Sequence, residues 1–158
     1  SYSLYQTKMD KYLDEEINNN FSKNRIRAMA LLQEEKALQE IVRLVGRDSL
    51  SEQDQLKLEV TKSIREDFLQ QNAFHEIDTY CSLEKQYKML DIMLKFYDEA
   101  LKAIDNGAYL SEIEVMPIRE DIARSKNTPE DKLFLLDELS ENLEKEMEKL
   151  TKGGTINA

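Results

Sequence analysis

At 158 residues, 41% of them hydrophobic and 34% charged, the chain is long enough for one domain with a buried core. Its 32 acidic against 22 basic residues leave a net charge of −10, which argues against a phosphate-neutralising surface and so against nucleic acid or anionic membrane as a direct partner. No apolar run approaches the roughly 18 residues of a membrane span, and the start SYSLYQTKMDKYLDEE has no basic stretch leading into an apolar one, so the chain reads as soluble and unsecreted, with no direct membrane insertion.

Glycine and proline, four and two in number, are scarce enough to require long helices with short connections. A first helix is expected around Leu4 to Ile17, followed by the polar break NNNFSKN. Met29, Leu31, Leu38, Ile41 and Val45 mark a second helix from about Arg25 to Val45, closed by Gly46. Ser51 with Asp54 three residues on resembles a capping box and opens a third, whose Leu56, Val60, Ile64 and Phe68 recur every four residues. Ser82 is the expected N-cap of a fourth, in which Leu83, Tyr87, Leu90, Leu94, Tyr97, Leu101 and Ile104 share one face, and Gly107 ends it. A shorter helix around Ser111 to Arg124 is interrupted near Pro117. Thr128, Pro129 and Asp131 open the last, with Leu136, Leu139, Leu143, Met147 and Leu150 on one side. The expected fold is all-α: a bundle of about six helices built from long antiparallel helical hairpins. It forms a single domain over residues 1–152, with a flexible polar tail at 153–158.

Catalytic signatures are missing. A phosphate-cradling loop needs two close glycines followed by Lys, and the one close pair, Gly153 and Gly154, sits in the tail. Zinc wants several Cys or His, and a di-iron bundle wants paired Glu-x-x-His, whereas the single His75 has Asn72 three residues before it. His75 and Cys81 lie six apart with no orienting signature and read as an ordinary imidazole and thiol. Carboxylate pairs such as Glu15 with Glu16 and Glu34 with Glu35 read as solvated helix faces. No catalytic and no metal-binding residue is expected.

Two stretches are not explained by core packing: the acidic junction GRDSLSEQD, Gly46 to Asp54, and FLQQNAF, Phe68 to Phe74. The run from Met29 to Leu90, and within it REDFLQQNAF followed by DTYCSLEKQYKML, resembles the C-terminal helical domain of the catalytic A subunit of archaeal-type and vacuolar-type (A/V-type) rotary ATPases. The likeness covers about four-fifths of the chain and fades over the last helix. More distantly, the β subunit of F-type ATP synthases has DELSEED followed by FLSQPF. The matching positions here are Asp48, Ser49, Leu50, Ser51, Glu52, Gln53 and Asp54, then Phe68 to Gln71, with Ser49 and Gln53 where that relative has acids. LDELSEN, Leu136 to Asn142, is closer letter by letter but lies inside a continuous helix on the wrong side of FLQQNAF.

The resemblance implies a non-catalytic piece of a catalytic subunit, and a start at Ser1 without Met is consistent with an excised domain. In that family the phosphate loop, its Lys and the activating carboxylate belong to the preceding domain. ATP or ADP with Mg is therefore expected in the parent subunit and no cofactor in this chain. The implied partners are the remainder of the catalytic polypeptide, neighbouring B subunits and the central stalk. The implied place is cytoplasmic, at the membrane periphery, in the soluble sector of a membrane complex. Residues Asp48 to Asp54 are the implied stalk contact. Gln71, Ala73 and Phe74 are the implied adenine side, with Phe68 packed inward, since an adenine ring offers flat faces for stacking and polar edges for amides. Phe74 could instead pack on the following helix while Gln70, Gln71 and Asn72 cap the helix end. Two other readings stay open: a free-standing helical adaptor and a helical enzyme using paired carboxylates.

Overall fold

The structure, a computed structural model, describes residues 21–69 and 81–157 together with Lys8, Lys11 and Glu15; side chains are described at those three positions and over 21–67 and 81–150. Of the expected first helix, Lys8, Lys11 and Glu15 are helical and exposed, and its other residues lie outside the described ones.

Six α-helices follow among the described residues, and no strand: α1 (Phe21–Val45), α2 (Glu52–Ser63), α3 (Leu83–Asp105), α4 (Leu110–Glu114), α5 (Ile118–Ala123) and α6 (Phe134–Asn157). The all-α bundle is therefore as expected. Helix α1, Phe21–Val45, is already helical four residues before the expected start, because Phe21 is buried against Tyr87 with ring centroids 5.5 Å apart and the Arg25 guanidinium lies 5.9 Å from its ring centroid. Tertiary packing overrides the polar composition of FSKN there. Gly46 ends α1 with φ 92°, a conformation that favours glycine.

The inward face of α1 differs from the expected one. Ala28, Leu31 and Glu35 are buried, whereas Met29, Ile41 and Val45 are exposed, as are Ile26 and Leu44. Polar contacts set this rotation: Asn24 donates to Asp91 at 2.9 Å and Arg27 to Asp98 at 2.7 Å, so α1 rises alongside α3. Helix α2 folds back on α1 through the short turn, with Lys57 on Glu34 at 2.8 Å and Arg65 on Glu35 at 2.9 Å.

Helix α3 is the centre of the bundle. Its Ser82 cap accepts the Lys85 amide at 3.0 Å, and the expected face is buried at Tyr87, Leu90, Leu94, Tyr97 and Ile104. The rest of its circumference is buried too, through Met89, Ile92, Met93, Phe96, Ala100 and Ala103, because α1, α2 and α6 surround it. Full burial of such aliphatic side chains contributes about 1.5–3 kcal/mol each before the ordering cost. Helices α4 and α5 are one amphipathic stretch broken at Val115–Pro117, where proline supplies no amide hydrogen.

Helix α6 starts at Phe134 rather than at Pro129; residues Glu130–Lys132 form a separate 3-10 turn. The Glu130 carboxylate is engaged elsewhere, accepting the Ser82 amide at 3.0 Å. Leu136, Leu143 and Met147 are buried on α3, LDELSEN is an uninterrupted part of this helix, and the helix runs on through Gly153 and Gly154 to Asn157.

Candidate functional site

The turn between α1 and α2 is closely built. After Gly46, Arg47–Ser49 form a 3-10 turn in which the Ser49 hydroxyl donates to the Gly46 carbonyl at 2.7 Å and the Leu50 amide to the Arg47 carbonyl at 3.0 Å. Ser51 caps α2, accepting the Asp54 amide at 3.2 Å, which is the serine half of the expected capping box. Of the seven residues expected to meet a partner, Asp48, Ser49 and Ser51 are exposed and Glu52, Gln53 and Asp54 are half-buried. Leu50 points inward, only 9% exposed, and its carbonyl accepts the Gln55 amide side chain at 3.0 Å. It anchors the turn rather than presenting it.

Contacts from elsewhere in the chain fix this turn to the corner between α3 and α4. Glu52 accepts the Leu110 amide at 3.3 Å, and Gln53 donates to Asp105 at 3.4 Å. The Arg47 guanidinium lies 3.4 Å from Glu59 and 3.6 Å from Glu114. Glu59 also meets Arg119 at 2.9 Å, and Arg119 lies over the Phe96 ring at 5.7 Å. Arg47 was missed by sequence reasoning, since a lone basic residue in an acidic loop carries no periodic signal.

The second stretch begins where α2 changes its winding. Over Ile64–Leu69 the backbone is a π-helix, a wider turn that often marks functional positions. Two ion pairs hold it, Arg65 with the buried Glu35 and Lys126 with Asp67 at 3.5 Å. Glu35 also accepts the Thr61 hydroxyl at 2.7 Å, so of the Glu34–Glu35 pair only Glu34 lies on a solvated face. The Phe68 side chain and residues Gln70, Gln71, Asn72, Ala73, Phe74 and His75 lie outside the described residues. At the far side of that stretch Cys81 is half-buried, and burial pushes its thiol above the usual range, with Lys85 opposing and Glu130 adding to the shift. A thiol kept protonated is a poor nucleophile.

Among the described residues no three His, Cys, Asp or Glu side chains gather where they could hold a metal ion, and no helix is long and apolar enough to cross a membrane. The arrangement suits mechanical contact at an exposed, braced turn.

Residues 10–114, which include both the turn and the π-wound junction, match the family described as the C-terminal domain of V and A type ATP synthase. The chain belongs to this family. It is similar to the V-type ATP synthase alpha chain of Clostridium perfringens (strain SM101 / Type A), 55% identical over 159 residues, and to that of Clostridium botulinum (strain Hall / ATCC 3502 / NCTC 13319 / Type A), 53% identical. The V-type ATP synthase alpha chain of Thermoanaerobacter pseudethanolicus is 52% identical over 158 residues. Each match covers 100% of this chain and 27% of the relative, so the chain spans about a quarter of the length of the curated relatives it matches.

Proposed function

We propose that this V/A-type ATP synthase C-terminal domain serves as the lever of a catalytic A subunit, carrying nucleotide-driven closure to the central stalk and so coupling it to ion transport. The observation that carries the reading is the α1–α2 turn: exposed at Asp48, Ser49 and Ser51, yet braced by Glu52 on Leu110, Gln53 on Asp105 and Arg47 on Glu59 and Glu114. A lever must pass force applied at its tip into the body, and a tip tied to a second corner does this where an unsupported loop would bend. The central helix α3, buried on nearly every side, supplies the stiffness behind it.

On this reading ATP or ADP with Mg²⁺ is held by the remainder of the catalytic polypeptide, the part of the relatives that this chain does not span. Gln71, Ala73 and Phe74 line the adenine side. Supporting this, α2 passes into a π turn over Ile64–Leu69 clamped by Glu35–Arg65 and Asp67–Lys126, a firm base for a lining that must keep its position. That remainder, neighbouring B subunits and the central stalk are the partners, at the cytoplasmic periphery of the membrane. Full coverage of the chain by part of much longer subunits favours this over a free-standing adaptor.

The test uses the whole complex carrying an intact catalytic subunit in which Asp48 to Asp54 are replaced by Gly and Ser. ATP hydrolysis should continue while the number of ions moved per ATP falls; an unchanged ratio would reduce the turn to a connection. For the adenine side, Phe74→Ala in the intact subunit should weaken nucleotide binding by about 1–2 kcal/mol, roughly tenfold in Kd. An unchanged Kd in a folded variant would leave Phe74 a packing residue.

A further inference from the structure

We infer that the partner-facing surface at this end is composite, the α3–α4 corner contributing Tyr109 and Val115 beside the turn and the last apolar residues of α1, Leu44 and Val45. The inference rests on the lever reading above and extends it to residues outside the loop. These four side chains are 64%, 79%, 66% and 67% exposed, respectively. Single exposed hydrophobics are ordinary, but four large ones at one end of a charged, acidic domain mark a contact surface. Their placement follows from contacts already described. Leu44 and Val45 immediately precede Gly46. Tyr109 precedes Leu110, whose amide donates to Glu52, and Val115 follows Glu114, which meets Arg47.

The corner is fixed before any partner arrives. Gly107 turns the chain with φ 104°, the Ala108 amide donates to the Ala103 carbonyl at 2.9 Å, and the Tyr109 amide donates to Glu112 at 3.2 Å. An aromatic displayed on a rigid backbone loses little freedom on binding, the condition under which tyrosine becomes an interface anchor.

Charge selects the partner. Asp48, Glu52, Asp105 and Glu112 lie in the turn and the corner beside the apolar residues, while the nearby cations are engaged, Arg43 by Glu40 and Arg47 by Glu59 and Glu114. A second copy of this chain would bring like charge against like charge. The fitting partner is a surface with apolar side chains flanked by Lys and Arg, which on the lever reading is the central stalk.

The experiment uses the assembled rotary complex with the intact catalytic subunit carrying Tyr109→Ala and Val115→Asp together, beside the Asp48–Asp54 replacement and wild type, each with its melting temperature. The corner variant should fold normally and move fewer ions per ATP than wild type, as expected when an interface anchor is lost. If that double variant fails to assemble, Tyr109→Gln is read in its place. A benzophenone attached at Val115→Cys, in a Cys81→Ser background, should cross-link to the stalk. Full coupling in the corner variant with loss in the turn variant would overturn the inference and leave the lever reading standing. Full coupling in both would overturn both. Loss in the corner variant alone would support the inference and remove the turn from the contact. Adducts only with a second copy of the catalytic subunit or with one of its neighbours would overturn it.

Discussion

Replacing Glu35 by Ala tests whether the polar cluster between α1 and α2 sets the rotation of α1 and the end of α2. Glu35 is 5% exposed and accepts hydrogen bonds from the Thr61 hydroxyl at 2.7 Å and from Arg65 Nε at 3.0 Å and Nη2 at 2.9 Å. Breaking a fully buried ion pair costs about 3–5 kcal/mol, and breaking an exposed one costs about 1 kcal/mol or less. The Arg65 side chain is 43% exposed and regains water when Glu35 is lost, and Thr61 keeps an acceptor in the Leu58 carbonyl at 3.0 Å. The expected loss is therefore intermediate, about 2 kcal/mol, which for a domain of this size lowers Tm by about 4–8 °C. Thermal and urea unfolding followed by far-ultraviolet circular dichroism measure it. Substituting all three members, Glu35→Met with Thr61→Val and Arg65→Met, should recover most of the loss, because no charge or donor is then left without its partner. A single variant within about 0.5 kcal/mol of wild type, the range of an ordinary surface change, would refute the assignment of Glu35 as the organising residue. So would a triple variant as unstable as the single one.

Leu143→Ala on α6, where the side chain is fully buried against α3, should cost about 3 kcal/mol by urea unfolding. Gly46→Ala should cost about 1–3 kcal/mol through its backbone conformation alone, φ 92° with ψ 158°, since nothing lies within 4 Å of the added carbon, and an unaffected Tm would show that the turn relaxes freely. At mildly alkaline pH, Cys81 should react with iodoacetamide more slowly than free cysteine, because burial raises its pKa and lowers its thiolate fraction; a faster reaction would contradict that environment.

Much of the bundle was legible in the chain because its boundaries are written in residues with special backbone roles. Gly46 and Gly107 take positive φ, and Ser51 and Ser82 cap the helices that follow them. The apolar stripe of α3 is regular enough to be read directly, whereas the burial of its other faces depends on the helices packed around it. The orientation of α1 was not legible, because Ile26, Met29, Ile41, Leu44 and Val45 give its outward side an apolar character as strong as its inward one, and polar contacts with Asp91 and Asp98 decide between them. The burial of Glu35, the inward turn of Leu50 and the π winding before Phe68 likewise depend on residues distant in sequence or on backbone geometry that no periodicity encodes. The turn as a site became visible through its likeness to a family, since by composition it is a polar connection. The bracing by Arg47, Glu52 and Gln53 came from the fold.

The claim that this domain transmits force through its braced turn is tested most directly by single-molecule rotation of the assembled complex, with a bead of known drag on the central stalk. With Asp48 to Asp54 replaced by Gly and Ser in the intact catalytic subunit, ATP hydrolysis should continue while the stalk turns the loaded bead with clearly reduced torque. Wild-type torque from that variant would contradict it.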